Sequence, residues 1–204
     1  MAMRERILEA TANLIKAEGM SAVTTKKIAA EAGCAEGSIF RHFGDKGGLL
    51  AAVLSFGLPE TLALMDAVEA AKASADLRAG LRSVAEALLE FYRASYPLVG
   101  SALADRELFA RYSGAHREGG TGPQQAWQLV HDFLAAQQNA GRVGPEVDLQ
   151  VHALCITGAC QNAVWVEMVS GAASLPHGGD ATSAWLAAAL VPGLTRGVGT
   201  AGGN

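Results

Sequence analysis

The chain has 204 residues, of which 50% are hydrophobic and 18% are charged. This balance is typical of a globular protein with an ample core and excludes a disordered chain. The formal charge is −4, but residues 1–50 carry seven Lys and Arg against six Asp and Glu, so binding to nucleic acid would depend on the placement of those cations rather than on a strong overall field.

The predicted secondary structure is helical. Alanine dominates the sequence, and alternating runs of β-branched residues are nearly absent, so we predict an all-α fold. The first helix covers residues 3–18 and is amphipathic. Asp45 caps a later helix that begins with Gly47 and Gly48, each of which costs ~1 kcal/mol relative to alanine. Pro59 should kink or break that helix near residues 57–59.

Between these two helices, residues 24–46 predict a pair of short helices joined by a tight turn. Thr24 is a good N-cap for the first, and Gly33 follows it where a chain that leaves a helix needs a positive φ. The second covers residues 35–43 and turns Ile39 and Phe43 inward, because they are four residues apart. This is the helix-turn-helix pattern, whose second helix enters the major groove of DNA. It predicts a DNA-binding regulator.

Five further helices are predicted in the remainder of the chain. Ser74 caps the first, Pro97 opens the second, and a polar, glycine-rich loop at residues 113–123 follows them. Asp148 and Asp180 cap the last two. The five helices are expected at residues 74–95, 97–112, 123–140, 148–170 and 180–196.

The cysteine pattern and the N-terminus favour a cytoplasmic protein. Cys34, Cys155 and Cys160 have no paired spacing, which fits a reducing compartment. Cys155 and Cys160 are about 140° apart on a predicted helix and are expected to be small buried hydrophobes. The N-terminus lacks the pattern of a signal peptide. Polar residues interrupt the apolar stretch 153–173, so we expect a buried helix there rather than a membrane span.

The segments RERILEATANLIKAEG and VTTKKIAAEAGCAEGSIFRHFGDKGGLL run through residues 4–50 almost without a gap. Together they resemble the DNA-binding domain of the tetracycline-repressor (TetR) family of bacterial regulators. The resemblance implies a helix-turn-helix domain at residues 1–48 and a helical domain for effector binding and dimerisation at residues 49–204, where the likeness is only in general plan. The matching positions are Gly19, Thr24, Ile28, Ala29, Ala32, Gly33, Gly37, Phe40, His42, Phe43 and Lys46.

The resemblance implies phosphate contacts, which the chemistry of the residues supports. Thr24, Thr25 and Lys26 lie at a helix start, where N–H groups, hydroxyls and an ammonium group can bind phosphate. His42 and Lys46 resemble the phosphate-binding side chains of the family. The alternatives are that Lys26 is a solvated surface lysine and that His42 packs on the adjacent phenylalanine.

The resemblance also implies base contacts from the outward side of the second short helix. Ser38 can donate to or accept from a base edge, and Gly37 allows a close approach to the DNA. Arg41 can bind guanine through two hydrogen bonds or neutralise a phosphate, which the sequence does not decide. Phe40 keeps contact with a thymine methyl group where the family usually has tyrosine. Glu36 replaces a common lysine and repels phosphate, unless it accepts from a cytosine amino group.

A third departure from the family pattern lies at the cap of this helix. Ala35 stands where the family usually has serine, so a capping hydroxyl and its possible phosphate contact are lost. Because three positions on or beside the DNA-contacting helix depart from the pattern, we expect an unusual operator preference.

The predicted helices at residues 148–170 and 180–196 combine small residues with large ones. Small residues allow close helix packing, and in the resembled family such a pair forms a four-helix dimer interface. One helix-turn-helix contacts too little DNA for useful specificity, so we expect a homodimer on a palindromic operator. The alternative is a monomer that keeps both helices in its own core.

The resemblance further implies a pocket for a small-molecule effector between the central helices. The candidate lining residues are mostly apolar and uncharged, which favours a hydrophobic ligand, although each is also a candidate for the core. We expect the effector to displace the helix after the helix-turn-helix, with a hinge at residues 57–59, and so to release a repressor from DNA. The candidates are Met65, Leu88, Phe91, Tyr92, Tyr96, Trp127, His131, Gln161, Asn162 and Trp165.

No catalytic constellation is recognisable, and neither a cofactor nor a metal is expected. His131 and Asp132 point about 100° apart on a helix, the other histidines lack metal-ligand spacing, and GGTG at residues 119–122 lacks the lysine of a phosphate loop. Two alternatives to a ligand-responsive regulator stay open. One is a redox-sensing regulator that uses Cys34, and the other is a helical ligand-binding protein without DNA binding.

Overall fold

The computed structural model describes residues 2–19, 22–53, 58–119, 122–176 and 181–196. The regular structure in these residues is helical, which confirms the predicted all-α fold. A 3-10 turn at Ala172–Ser174 follows the ninth helix. The α-helices are α1 (Met3–Glu18), α2 (Thr25–Ala32), α3 (Glu36–Phe43), α4 (Lys46–Ala52), α5 (Pro59–Lys72), α6 (Leu77–Leu103), α7 (Arg106–Gly119), α8 (Gln124–Asn139), α9 (Leu149–Ser170) and α10 (Thr182–Leu194).

Two compact units make up the chain. The first comprises Met1–Leu62 and Arg93–Gly122, and the second comprises Ala63–Tyr92 and Pro123–Asn204. Both α5 and α6 contribute residues to each unit. This division describes packing within the chain, so the functional boundary expected after residue 48 stays a prediction.

The first unit packs its helices around one apolar core. α1 packs on α2, α2 on α3, α3 on α4, and α4 on α7. Ile7, Ile28, Ile39 and Leu49, one from each of the first four helices, are at most 1% exposed. Burying a side chain of this size contributes about 1.5–3 kcal/mol, so the core fixes the arrangement of the two short helices.

The predicted caps of the helix-turn-helix are confirmed. Oγ1 of Thr24 accepts a hydrogen bond from the backbone N–H of Lys27 at 3.2 Å, and Oδ1 of Asp45 accepts one from the backbone N–H of Gly48 at 2.9 Å. Gly33 ends α2 with a φ of 62°, a left-handed conformation that glycine adopts without a steric penalty. These three residues determine where α2 begins, where it ends and where α4 begins.

The two glycines at the start of α4 allow close packing. A Cβ on Gly47 would lie 2.4 Å from the Cβ of Arg111 in α7. A Cβ on Gly48 would lie 2.2 Å from the carbonyl oxygen of Phe43 at the end of α3. The low helix propensity of this pair is therefore offset by the close approach of α3 and α7 to α4.

The break predicted near residues 57–59 is only partly covered by the described residues. α4 ends at Ala52, and a new helix begins at Pro59. Proline is well suited to the first position of a helix, where its missing N–H would have no intrahelical partner. Residues 54–57, which include the glycine of the predicted hinge, lie outside the described residues.

The predicted start of α6 is wrong by a few residues. Oδ1 of Asp76, and not the hydroxyl of Ser74, accepts hydrogen bonds from the first backbone N–H groups of the helix, those of Arg78 at 2.9 Å and Ala79 at 3.2 Å. Oγ of Ser74 instead accepts a hydrogen bond from the backbone N–H of Asp76 at 3.2 Å. Because both residue types are good caps, the sequence alone did not distinguish them.

The prediction that Pro97 opens a new helix is also wrong. α6 continues through Pro97 to Leu103. A proline inside a helix costs ~3 kcal/mol, but the residues that follow it bury apolar side chains, since Leu98 is 2% exposed and Ala102 is 0% exposed. Tertiary burial therefore outweighs the local preference.

The glycine-rich loop predicted at residues 113–123 is largely helical, because α7 extends to Gly119. Tyr112 and His116 lie four residues apart in α7, and both are buried. Their rings meet edge to face with centroids 4.4 Å apart. This packing offsets the ~1 kcal/mol by which Gly114 disfavours a helix.

The second unit contains α8, α9 and α10, with α9 packed on both of the others. The predicted cap of α9 is confirmed, since Oδ1 of Asp148 accepts from the backbone N–H groups of Gln150 at 3.0 Å and Val151 at 3.1 Å. α10 covers Thr182–Leu194, but its predicted cap, Asp180, lies outside the described residues.

A buried glutamine joins α8 to the end of α5. Nε2 of Gln137 donates to the backbone carbonyls of Ala71 at 2.9 Å and Lys72 at 3.2 Å. Its Oε1 accepts a hydrogen bond from Nε of Arg142 at 2.5 Å. The last carbonyls of a helix have no partner within that helix, so this side chain serves as the cap of α5.

Candidate nucleic-acid interface

The core determines which side of α3 faces outward. Ile39 is 0% exposed, and Phe43 is half-buried, with the guanidinium carbon of Arg4 5.5 Å from its ring centroid. By contrast, Phe40 is 48% exposed, and Arg41 is exposed. The two inward positions agree with the prediction, and the opposite side of α3 carries polar and aromatic groups that can reach a ligand.

The residues predicted to contact bases lie on or beside this outward side. A Cβ on Gly37 would meet no atom within 4 Å, so the helix surface there is open to a close approach. Ser38 is half-buried. The exposed members of the set are Glu36, Gly37, Phe40 and Arg41.

The turn between α2 and α3 is held by an arginine from α1. Nη2 of Arg6 donates to the carbonyl oxygen of Ala32 at 2.5 Å. A cation at the C-terminus of a helix interacts favourably with the helix dipole and satisfies one of its last carbonyls. The interaction fixes the end of α2 relative to α1, and with it the start of α3.

The residues predicted to bind phosphate lie at two helix starts and at the end of α3. Thr24 and Lys26 are exposed at the start of α2, and Lys46 is the half-buried first residue of α4. His42 is exposed, and its ring centroid lies 6.1 Å from that of Phe43. Both roles considered for His42 therefore stay open, and the phosphate contacts remain predictions.

Thr25 and Glu36 are joined by a hydrogen bond. Oγ1 of Thr25 donates to Oε1 of Glu36. Thr25 is the first residue of α2 and Glu36 is the first residue of α3, so the bond links the starts of the two helices. The sequence had implied a separate DNA contact for each residue and contained no local signal of this pairing.

Three basic side chains on or near α3 form no ion pair in the described part of the chain. Lys26, Arg41 and Lys46 form no such pair there, whereas Nζ of Lys27 lies 2.5 Å from Oε2 of Glu18. Because ion pairing does not neutralise these three cations, their charge is available to a polyanion such as DNA.

The sequence profile described as bacterial regulatory proteins of the tetR family matches residues 7–53, which include all of α2, α3 and α4. YvkB of Bacillus subtilis (strain 168), named as an uncharacterized HTH-type transcriptional regulator, is 29% identical over 137 residues, which cover 67% of this chain and 68% of that protein. Residues 7–53 are therefore a DNA-binding domain of the TetR type. The chain that carries this domain is a DNA-binding transcriptional regulator and not an enzyme.

Solved structures of transcriptional regulators share this fold. A Mesorhizobium loti protein assigned to the family has a TM-score of 0.67 and 17% identity, with 94% of each chain covered. The transcriptional regulator FadR from Bacillus subtilis, solved in complex with stearoyl-CoA, has a TM-score of 0.59 and 17% identity, with 95% of this chain and 98% of FadR covered. At this level of identity the likeness establishes the fold alone.

Two further observations concern metals and membranes. Across the described ranges, no three or more His, Cys, Asp or Glu side chains are grouped so that they could hold a metal ion. In the same ranges, no helix is long and apolar enough to cross a membrane.

The three cysteines differ in their surroundings. Cys34 is half-buried and packs against the core of the first unit, as expected of a small apolar residue. Cys160 is buried, and burial raises the pKa of its thiol to about 12. The expectation that Cys155 is buried is wrong, because that side of α9 faces outward and Cys155 is exposed.

α9 carries an exposed, mostly apolar surface, which we call the α9 stripe. Leu154 is 63% exposed, Trp165 is 57% exposed and Val169 is 65% exposed, while Ile156 and Cys160 on the other side are buried. At about 100° per residue, the stripe covers roughly 140° of the helix surface. It consists of Val151, Leu154, Cys155, Gly158, Gln161, Asn162, Trp165, Met168 and Val169.

The ten effector candidates lie in different surroundings. Gln161, Asn162 and Trp165 are exposed on the α9 stripe, whereas Leu88 and Tyr92 are buried. The other five, Met65, Phe91, Tyr96, Trp127 and His131, are half-buried.

Ring contacts connect four of these candidates in two pairs. The ring centroids of Phe91 and Tyr92 lie 5.3 Å apart, and those of Trp127 and His131 lie 6.2 Å apart. Nε1 of Trp127 donates to the carbonyl of Gln150 at 3.2 Å, so this indole already has a partner. The pocket stays a prediction.

Sequence reasoning missed two arginines that connect helices of the first unit. One is Arg6, described above. The other is Arg111 in α7, whose Nη1 lies 3.2 Å from Oδ2 of Asp45 and whose Nη2 lies 2.7 Å from Oε1 of Glu107. Arg111 is 66 residues from Asp45 in the sequence, so no local pattern could have revealed the pair.

Proposed function

We propose that this protein is a ligand-responsive repressor that binds a palindromic operator as a homodimer and is released by a small, mostly hydrophobic effector. The observation that carries the proposal is the outward side of α3, where exposed polar and aromatic residues stand on a helix whose inner side is locked by Ile39. A helix presented in this way fits the major groove of DNA.

The α9 stripe supports the homodimer. Several large, highly exposed apolar side chains lie on this one face of α9. Trp185 on the adjacent α10 is also 38% exposed. Monomeric proteins rarely expose a large contiguous apolar patch. A two-fold dimer would bury the same stripe from both protomers, and its symmetry would match a palindromic site.

The exposure of Gln161, Asn162 and Trp165 favours this interface over the effector pocket for those three residues. In a dimer, the Asn162 amide would be buried and would need a hydrogen-bond partner there, because an unsatisfied buried polar group costs about 1–3 kcal/mol. It would thereby help to select one register of the two α9 helices. The seven other candidates remain the proposed pocket residues.

The chemistry of those seven residues supports a mostly hydrophobic effector. Five of them, Met65, Leu88, Phe91, Tyr92 and Trp127, offer large apolar or aromatic surfaces, as small-molecule sites do. The Bacillus subtilis FadR of the same fold was solved with stearoyl-CoA, a ligand with a long apolar chain. The fold is thus compatible with such a ligand.

Release would act through α4. Only Gly44 and Asp45 separate α3 from α4, and α4 is in close contact with α7 at Gly47. An effector that favours a different position of α4 would move α3 and disturb its fit to DNA, by no more than the difference in its affinity for the two states. The proposed hinge is at residues 57–59. If Pro59→Ala leaves effector-induced release unchanged, the hinge is elsewhere.

Selection of bound duplexes from random DNA, repeated at two salt concentrations, tests the DNA-binding part of the proposal. We expect a two-fold symmetric motif with two half-sites, bound by a dimer. A purified dimer that prefers no duplex over random competitor would contradict it. The DNA that flanks the protein's own gene provides an independent target in a gel-shift experiment.

A thermal-shift screen tests the effector part. The panel contains long-chain acyl-CoA, uncharged aromatic compounds and highly charged metabolites. We expect stabilisation by apolar compounds and, for the same compounds, release of the selected operator. Stabilisation by charged metabolites only would contradict the proposed effector class.

A further inference from the structure

We propose that Glu36 recognises a cytosine in the operator and that Thr25 holds the Glu36 carboxylate in position for this contact. The inference deepens the proposed function, because it rests on α3 lying in the major groove of DNA. It names a specificity-determining residue and replaces the phosphate contact that the sequence had implied for Thr25.

The geometry that supports the inference is the hydrogen bond between the two helix starts. Thr25 is half-buried and Glu36 is exposed, and Oγ1 of Thr25 donates to Oε1 of Glu36. A flexible glutamate on a surface normally samples several rotamers. Here a side chain fixed at the start of α2 restrains it, which reduces the entropy that Glu36 would lose on binding.

The same bond withdraws Thr25 from phosphate binding. A hydroxyl has one proton to donate, whereas an ionised carboxylate can only accept. The Thr25 hydroxyl must therefore donate to Glu36 and cannot donate to a phosphate oxygen at the same time. A phosphate, which is also an acceptor, would compete with Glu36 for this proton and would be repelled by its charge.

A carboxylate at this position selects among base edges by what each edge can donate. In the major groove, guanine presents two acceptors and thymine presents an acceptor and a methyl group. Adenine presents its amino group beside the acceptor N7, while cytosine presents an amino donor. Glu36 would therefore be repelled by guanine and thymine, less so by adenine, and would bind the N4 amino group of cytosine.

The surroundings of Glu36 leave this contact open. A Cβ on the neighbouring Gly37 would meet nothing within 4 Å, so the helix surface beside Glu36 is open. In the described ranges no cation forms an ion pair with Glu36. Its full charge therefore remains to repel phosphates, and a sequence that offers no donor to Glu36 binds less well.

The experiment is selection from a random duplex library with the full chain and three variants, followed by competition measurements on the selected site and its single-base changes. The variants are Glu36→Gln, Thr25→Val, which keeps the shape of the side chain without its donor, and Thr25→Ser, which restores the donor. Thermal melting of each variant verifies that it is folded.

For the unmodified chain we expect cytosine at one position of each half-site. Glu36→Gln should weaken binding to that site on the order of 10-fold and shift the preference toward adenine, which an amide binds through two hydrogen bonds. Thr25→Val should reduce the preference for cytosine without changing the salt dependence of binding. Thr25→Ser should restore the preference.

Four outcomes would overturn the inference. If Glu36→Gln tightens binding to all sequences alike and leaves the motif unchanged, Glu36 acts only as a repelling charge. If Thr25→Val weakens binding to all duplexes by a similar factor and leaves the preference for cytosine unchanged, Thr25 binds phosphate after all. If the unmodified chain selects a motif without a cytosine that responds to Glu36, the inference fails while the proposed function stands; if it selects no motif, both fail.

Discussion

The guanidinium of Arg6 occupies the space into which a side chain on Gly33 would project. A Cβ built on Gly33 would lie 2.7 Å from Nη2 of Arg6, while that same atom donates to Ala32. The turn of the helix-turn-helix therefore depends on a glycine for its left-handed backbone and on an arginine from α1 for its position.

Gly33→Ala should destabilise the protein by about 1–2 kcal/mol, mainly because φ is 62° at this residue and a Cβ is disfavoured there. The contact with Arg6 adds less, since the end of a long side chain can move. Urea denaturation measures the effect. Gly37→Ala is the matched control: it adds a methyl group inside a helix in open space, so it should stabilise by roughly 0.5–1 kcal/mol. Equal effects at both positions would contradict this account.

Gly47→Ala should also destabilise, despite the better helix propensity of alanine. The new Cβ would lie 2.4 Å from the Cβ of Arg111 and 2.9 Å from the backbone nitrogen of Tyr112, so α4 and α7 would have to separate, at a cost of about 1–3 kcal/mol. Gly114→Ala in α7 has no atom within 4 Å and should stabilise by roughly 0.5–1 kcal/mol. Calorimetric melting of both variants tests the contrast; a more stable Gly47→Ala protein would show that α4 and α7 pack differently.

Lys46→Gln should weaken binding to every duplex by a similar factor and leave the selected motif unchanged, because a phosphate contact carries no base information. The slope of log K against log salt should fall by about 0.9 for each Lys46 that contacts phosphate. Lys72→Gln is the control: Lys72 lies at the end of α5 and pairs with Glu69 at 2.6 Å, so its loss should leave the slope unchanged. A changed motif with an unchanged slope would assign Lys46 to base contact.

Leu154→Lys should convert the proposed dimer into a monomer. Leu154 is 63% exposed at the α9 stripe, and a dimer would bury two introduced charges close to the two-fold axis, which is strongly unfavourable. Sedimentation equilibrium at micromolar concentration measures the mass. Ala79→Lys, at an exposed position near the start of α6, should have no effect on association. A Leu154→Lys protein that remains dimeric would move the interface away from α9.

Acidification should destabilise the protein in part through His116. Burial lowers the pKa of His116 below its ordinary value of 6.5, so the unfolded chain takes up a proton at a higher pH than the folded one. Its contribution is therefore fully present above about pH 6.5 and is lost as the pH falls below that value. Denaturation midpoints at pH 7.5, 6 and 5 should fall less steeply for His116→Gln than for the unmodified chain; parallel slopes would show that His116 does not contribute.

Local sequence was sufficient for the N-terminal helices. Thr24, Gly33 and Asp45 act on residues within three or four positions of themselves, and the inward pair Ile39 and Phe43 follows from helical periodicity. The outward placement of the DNA-contact candidates followed from the same periodicity. Predictions of this kind succeed because the partner that decides the structure is nearby in the chain.

The errors arose where the deciding partner is distant or where packing outweighs propensity. Pro97 and Gly114 both disfavour a helix locally, and in both cases buried neighbours maintain it. Arg6 and Arg111 act on residues 26 and 66 positions away. The Thr25–Glu36 bond spans 11 positions and two helices. None of these relationships leaves a periodic pattern, so they became evident only in the folded chain.

The carboxylate of Asp45 has a consequence for how such a protein can diverge. One of its oxygens caps the start of α4, and the other accepts from Arg111. A substitution of Asp45 would affect both the start of α4, directly after α3, and the contact of α4 with α7. Mutations at this residue therefore change the two features together. A mutation that changes only the contact with α7 has to occur at Arg111 or Glu107, where the loss of a charge leaves the cap of α4 intact.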